Sequence, residues 1–207
     1  MPTSGTASAA SGVISLVLLT AVVVLGVLLN RRRLGPLSRY DGIRLHQNLS
    51  LLTLAFLALH IATAIASPYG GLGPASAVVP FLGPRDRGWL ALGVIASDLA
   101  IALVVTSLLR RRLGRRAWQA VHWLAYACWP AALAHSVGTG IGMRSGRLFD
   151  LAVGCMIAVL GAVAWRLAAP RRLGRGAQRR PGDQGRKPPR PGPSPRSRRA
   201  APDLRSP

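Results

Sequence analysis

Residues 45–66 read LHQNLSLLTLAFLALHIATAIA and carry no charged side chain. As an α-helix, which rises about 1.5 Å per residue, this stretch crosses the roughly 30 Å hydrocarbon core of a bilayer once. The uncharged run continues to Pro84, and two similar runs cover residues 1–30 and 117–143. Because such runs recur along a chain of 207 residues, the sequence predicts an all-α integral membrane helical bundle.

Five transmembrane helices are predicted, at about 12–29, 45–66, 89–109, 117–136 and 148–167. Together they form a transmembrane helical domain at 12–168, which follows a short outer N-terminal segment at 1–11. The remaining residues, 169–207, are rich in Pro, Arg, Gly and Ser. They are expected to form a disordered basic cytoplasmic tail, because they bury too little apolar surface to fold. These segments use the whole length, so we expect no flavin or nicotinamide domain on this chain.

The distribution of basic residues predicts the orientation of the bundle. Five Arg lie in 30–44, five lie in 110–116, and twelve Lys and Arg follow from Arg171 onward. The alternate loops, 67–88 and 137–147, hold two Arg each. Since basic residues are retained on the cytoplasmic side, we expect the N-terminus outside and the C-terminus in the cytoplasm of a multi-pass cell membrane protein.

The net charge is strongly positive, with 27 Lys and Arg against six acidic residues and a formal charge of +21. Such a charge is often a sign of nucleic-acid binding. Here the basic residues form short clusters between apolar runs and in the tail, which is the pattern of membrane orientation signals. We therefore expect contact with membrane lipid and no nucleic acid partner.

Four histidines lie in two of the predicted spans: His46 and His60 in the second, His122 and His135 in the fourth. Gaps of 14 and 13 residues separate the members of each span by about 21 Å and about 20 Å. Both spans run from inside to outside, so His46 is expected to face His122 near the inner surface and His60 to face His135 near the outer surface. Two imidazoles that approach from opposite sides are suited to clamp a flat macrocycle.

Helical phase favours this pairing in the second span more than in the fourth. Fourteen residues fall about 40° short of four full turns, so His46 and His60 share a face. Thirteen residues fall about 140° short, so a straight helix would not align His122 with His135. Pro130 lies between them, and a proline kink is one means of turning one of them toward the common face.

Other interpretations of these polar residues stay open. Each expected pair, His46 with His122 or His60 with His135, offers two nitrogen atoms. A closed zinc site needs about four ligands, so a mononuclear metal site is disfavoured. The imidazoles could instead bond between helices. Asp98 is the carboxylate deepest within a predicted span. An acid there could relay protons, pair with Arg85 or Arg87 if the helix were shifted outward, or, when protonated, bond to a neighbouring helix.

The segments RLHQNLSLLTLAFLALHIATAI and WQAVHWLAYACWPAALAHSVGTG, with VVPFLGP and WLALGVIASDLAIALVVTSLLRRRLG between them, resemble the ferric reductase-like transmembrane domain family. The resemblance covers about residues 44–167 and includes the spacing of all four histidines. It implies that two haem b groups (b-type haems) are stacked across the bilayer. Their axial ligands would be His46, His60, His122 and His135. It also implies electron transfer from the cytoplasmic side to an external acceptor.

The family's full-length reductases carry cytoplasmic flavin and nicotinamide domains, which this sequence lacks. The chain is therefore expected to be the haem subunit of an oxidoreductase, with no catalytic residue of its own. Its electrons would come from a separate cytoplasmic flavoprotein and pass to ferric iron, oxygen or a redox partner outside. Two alternatives remain: a quinol-linked di-haem cytochrome b, and a haem-free membrane scaffold or assembly protein.

Overall fold

The computed structural model describes residues 3–29, 39–67, 72–83, 87–139 and 146–168. Within these ranges the α-helices are α1 (Thr3–Leu29), α2 (Arg39–Ile65), α3 (Arg87–Leu108), α4 (Arg110–Leu113), α5 (Arg115–His122), α6 (Ala125–Thr139) and α7 (Arg147–Ala168), with a 3₁₀ turn at Pro74–Ala77 between α2 and α3. The described residues contain no strand, which confirms the all-α prediction. The predicted disordered tail, 169–207, lies outside the described residues.

Four helices are long and apolar enough to cross a bilayer: Gly5–Leu29, Tyr40–Ile65, Arg87–Leu108 and Arg147–Ala168. A multi-pass membrane protein is therefore confirmed. Helix α1 begins at Thr3, inside the predicted N-terminal segment, and α2 begins at Arg39, before the predicted start of its span. The reason is that the prediction counts the apolar residues that lipid requires, whereas backbone hydrogen bonding continues a helix into polar flanking residues.

The predicted fourth span, 117–136, is divided into α5 and α6 by a turn at Trp123 and Leu124. The N–H of Leu124 donates to the Val121 carbonyl at 2.9 Å, and the N–H of Tyr126 donates to the Trp123 carbonyl at 3.1 Å. Such three-residue steps rotate the chain by about 120° per residue instead of about 100°. Because the fourth predicted span is divided, the total of five membrane crossings stays a prediction. The orientation of the termini stays a prediction as well.

Pro130 lies inside α6, C-terminal to this turn. A proline ring crowds the carbonyl four residues earlier in a helix, which here is the carbonyl of Tyr126, where the turn ends. The sequence therefore indicated a bend in the right segment, but the change of direction comes one turn earlier than the proline itself.

Helix α1 lies at the centre of the bundle, where it packs most extensively on α2 and also contacts α6 and α7. Helix α3 packs mainly on α6. Leu16 in α1 and Ala152 in α7 are buried together, and a second buried cluster joins Trp129 of α6 to Cys155 and Val159 of α7. Packing of small and apolar side chains is what holds helices together in lipid, where no hydrophobic effect drives them to associate.

One buried hydrogen bond joins α1 to α6. The Trp129 indole N–H donates to the Thr20 hydroxyl at 3.0 Å, and this hydroxyl donates to the Leu16 carbonyl at 2.8 Å. Thr20→Val keeps the shape of the side chain but leaves the indole N–H without its acceptor. We expect the free energy of unfolding to fall by about 1 kcal/mol, measured by unfolding the chain in mixed micelles with increasing denaturing detergent.

The matched control is Thr106→Val, since the Thr106 hydroxyl bonds to carbonyls of its own helix, Ala102 at 2.6 Å and Leu103 at 3.3 Å. Its loss should change stability less than that of Thr20. Equal effects of the two substitutions would contradict a stabilising bond between α1 and α6.

Candidate functional site

The imidazoles of His60 in α2 and His135 in α6 face each other, with ring centroids 6.3 Å apart and planes inclined by 77°. The Nδ1 atom of His60 lies 2.8 Å from the Ser8 carbonyl in α1. The Nδ1 atom of His135 lies 2.8 Å from the Trp89 carbonyl in α3. Because a carbonyl can only accept, each Nδ1 carries the proton and donates, and each Nε2 keeps its lone pair.

The second pair consists of His46 in α2 and His122 at the end of α5, again with ring centroids 6.3 Å apart, and with planes inclined by 64°. The His122 ring stacks on Trp118 one turn earlier, at 4.9 Å and 25°. The Trp118 indole N–H in turn donates to the Ser107 hydroxyl of α3 at 3.3 Å. Packing, rather than a hydrogen bond to the ring, therefore orients His122.

The Nδ1 atoms of His46 and His122 are buried and have no hydrogen-bond partner within the described ranges. The Val22 backbone of α1 lies near the His46 ring, but His46 Nδ1 makes no hydrogen bond to it. The two histidine pairs are thus alike in ring separation but are supported differently.

The structure brings together the same two pairs that the spacing predicts, His46 with His122 and His60 with His135. In α2 the continuous helix holds both histidines on one face. In the α5–α6 segment the tightened turn at Trp123 and Leu124 supplies rotation that a straight helix lacks. The role of the four side chains as ligands stays a prediction.

Three glycines lie directly against these rings. A Cβ atom added at Gly12 would be 2.9 Å from Cε1 and Nδ1 of His60, and one at Gly93 would be 2.5 Å from Nδ1 of His135. A Cβ atom at Gly26 would be 3.2 Å from Cε1 of His46. The first two positions therefore admit only glycine unless the ring moves. The backbones of α1 and α3 thus lie in direct contact with the His60 and His135 rings.

A cavity of about 510 Å³ lies beside the His60 and His135 pair. Its walls come mainly from α1, α2, α3 and α6, with contributions from the 3₁₀ turn and α7. Many of the lining side chains are small, among them Ser15, Thr53, Ala64, Ser97 and Ala132. The Ser15 and Thr53 hydroxyls donate to carbonyls of their own helices, at 2.8 Å and 2.7 Å, so they present little polarity to the space. An apolar ligand fits such a cavity.

Asp98 does not line this cavity and is exposed on α3. It makes no hydrogen bond or ion pair to any residue in the described ranges. The interpretation in which Asp98 bonds to a neighbouring helix of this chain therefore finds no partner there.

A family model described as ferric reductase like transmembrane component matches residues 11–133. The match covers more than half of the chain, from the first turns of α1 to the middle of α6. The chain belongs to the ferric reductase-like transmembrane family. This confirms the resemblance read from the sequence. Three of the four histidines lie within the match, and His135 lies just beyond its end. No curated protein and no solved structure matches the chain.

Ferric reductase-like transmembrane domains generally bind haem, and the histidine pairs of this member fit an iron porphyrin. An imidazole nitrogen binds a transition metal at about 2.0 Å, and the ring centroid lies about 1.1 Å behind that nitrogen. Two imidazoles on opposite sides of one ion would therefore have centroids about 6.2 Å apart, and both pairs are separated by 6.3 Å.

The donor set and the tautomers fit as well. Among the described residues no three His, Cys, Asp or Glu side chains lie close enough to share a metal ion, so each pair offers two nitrogen donors. A histidine that binds metal usually donates its other ring N–H to a carbonyl or carboxylate. His60 and His135 make this bond to Ser8 and Trp89, which leaves Nε2 of each neutral ring as the nitrogen available to a metal ion.

Sequence reasoning missed the part that α1 plays in this ferric reductase-like site. The sequence predicts the first helix only as a membrane span, whereas Ser8, Gly12 and Gly26 contact histidines of α2. A signal was present: Gly12 and Gly26 are 14 residues apart, as are His46 and His60. In two antiparallel helices, equal spacings place each glycine opposite one histidine.

Proposed function

We propose that this chain transfers electrons across the membrane by means of two b-type haems, each held by one histidine of α2 and one histidine of the α5–α6 segment. The observation that carries the proposal is the repetition of one geometry. Both pairs have ring centroids 6.3 Å apart, and the two pairs are 14 residues apart along α2.

The depth of the two pairs supports transfer across the bilayer rather than chemistry at one surface. Fourteen residues of α-helix rise about 21 Å, which is most of the roughly 30 Å hydrocarbon core. The His46 and His122 pair therefore lies toward one face of the membrane, and the His60 and His135 pair lies toward the other.

Each residue of the site has a definite task in this proposal. The four histidines would hold two haems, which would supply reversible one-electron chemistry. The carbonyls of Ser8 and Trp89 hold the protons on Nδ1 of His60 and His135. The small side chains of the cavity wall would leave room for the ring.

The direction proposed is from the cytoplasm outward. Exposed Arg side chains at 110–116 lie at the α4–α5 end of the bundle, in the same short segment as His122, and basic residues are retained on the cytoplasmic side. A separate cytoplasmic flavoprotein would donate electrons at this end. Ferric iron, oxygen or a redox protein would accept them at the His60 and His135 end.

The test is electron transfer into sealed vesicles. The purified, haem-loaded chain is reconstituted in lipid vesicles that enclose ferricyanide, and a flavin reductase with its nicotinamide donor is added outside. We expect the enclosed ferricyanide to be reduced at a rate proportional to the amount of chain. Vesicles made with His60→Ala, which removes one ligand of the outer pair, should stay oxidised.

The other interpretations give different results. Reduction by a short-chain quinol, with none by the flavin reductase, would assign the chain to the quinol-linked class. A colourless preparation from cells supplied with iron and porphyrin precursor, with no transfer from either donor, would leave the scaffold interpretation and overturn the proposal.

A further inference from the structure

The lipid-facing surface of α3 carries a carboxylate at the middle of an apolar span. Asp98 is exposed, as are Ile101 (47%), Val105 (45%) and Leu108 (70%). These positions follow at intervals of three and four residues, so they share one side of the helix. Ala96 and Ala100, on another side, are buried. Asp98 therefore faces away from the protein and toward the hydrocarbon core.

No basic residue of α3 or its flanks reaches Asp98. Arg87 and Arg110 lie 11 and 12 residues away, or about 16 Å and about 18 Å along the axis, which exceeds the length of an arginine side chain. In the part of the chain that the structure describes, the carboxylate has no hydrogen bond or ion pair. An acid at the centre of a membrane helix is costly to insert and nearly always pairs with another group.

We propose that this face of α3 docks against a membrane-spanning helix of a second protein, and that this helix carries a Lys or Arg near its midpoint. A basic side chain is complementary in charge to the Asp98 carboxylate, and the hydrocarbon core offers this carboxylate no water. A basic side chain at the same depth satisfies the carboxylate, and apolar residues of the partner helix cover Ile101 and Val105.

A second copy of this chain fits the surface less well. The central turns of the other predicted spans, 12–29, 45–66, 117–136 and 148–167, contain no Lys or Arg. Two copies that met through α3 would set one Asp98 against the other, and two carboxyl groups can share a proton but supply no positive charge. The complementary charge must therefore come from a different protein.

The experiment measures binding of synthetic helices to the full chain in phosphatidylcholine vesicles. The chain carries a far-red fluorophore at its N-terminus, and the acceptor-labelled helix is polyleucine with one central Lys, or polyleucine alone. We expect the Lys helix to bind about tenfold more tightly than the leucine helix. Asp98→Leu should abolish this preference, and the matched control Val105→Leu, on the same face, should retain it.

Three results would overturn the proposal. The first is equal binding of the two helices to the unmodified chain. The second is energy transfer between two labelled copies of the chain that Asp98→Leu removes, which would make the surface a contact between copies. The third is loss of helix content or thermal stability in Asp98→Leu, which would give the carboxylate a partner inside its own chain. None of these results depends on the proposed electron transfer.

Discussion

In the proposed two-haem chain, replacing His60 with Ala is expected to lower the haem content from about two groups per chain to about one, because the iron between His60 and His135 would lose one of its two nitrogen ligands. His135→Ala should give the same loss and the same residual spectrum, since His60 and His135 face each other at 6.3 Å. His46→Ala and His122→Ala should remove the other haem and share a different residual spectrum. The measurements are pyridine haemochrome content and the low-spin electron paramagnetic resonance signals of each purified variant.

The pattern of losses is more informative than their number. If His46→Ala and His60→Ala gave one shared spectrum, both ligands of one haem would lie on α2. The pairing of each α2 histidine with one histidine of the α5–α6 segment would then be wrong. If every variant kept the haem content of the unmodified chain, none of the four histidines would be a ligand. The control is His→Ala at all four positions together, which should yield a colourless chain with the helix content of the parent.

Adding a single methyl group at Gly93 is expected to weaken haem binding at the proposed site between His60 and His135 about tenfold, because overpacking costs about 1–3 kcal/mol. The new Cβ would lie 2.5 Å from Nδ1 of His135, which real Cβ atoms do not tolerate. The ring must turn away, and in doing so it loses its hydrogen bond to the Trp89 carbonyl. Titration of haem into the chain prepared without it measures the change.

The other glycines provide a graded series. Gly12→Ala places its Cβ 2.9 Å from the His60 ring and should also weaken the outer pair, whereas Gly26→Ala, at 3.2 Å from His46, should have a smaller effect, on the inner pair. Gly154→Ala and Gly161→Ala in α7 meet nothing within 4 Å. These two controls should bind haem normally and gain stability, since Ala favours helix by about 1 kcal/mol. Equal effects at Gly93 and Gly154 would contradict the role of close backbone approach.

The pairing of the histidines illustrates how far a sequence can be interpreted and where it stops. The rise of an α-helix is fixed by its backbone hydrogen bonds, so residue spacing alone gave the depth at which each imidazole lies. The direction in which a side chain points around the helix axis is less constrained, because a few hydrogen bonds between residues three apart change it. The turn at Trp123 and Leu124 has no obvious sequence signal apart from Pro130, so it could not be located in advance.

Asp98 shows the same limit from another direction. Its position in the middle of an apolar run was evident, and so was the cost of an acid there. Whether its side chain points into the bundle or out of it depends on which neighbours α3 contacts. Since α3 packs mainly on α6, its opposite side is left to lipid, and the carboxylate lies on that side.

The amino-acid order by itself determined a multi-pass helical protein, its family and the four histidines at two depths, because hydropathy and helical rise are local properties of the chain. Only the tertiary structure decided that α1 is part of the site, that Ser8 and Trp89 orient the outer rings, and that Gly12 and Gly93 lie beneath them. These contacts join residues 42 to 52 positions apart. They depend on how neighbouring helices are rotated and packed, and no local pattern specifies that.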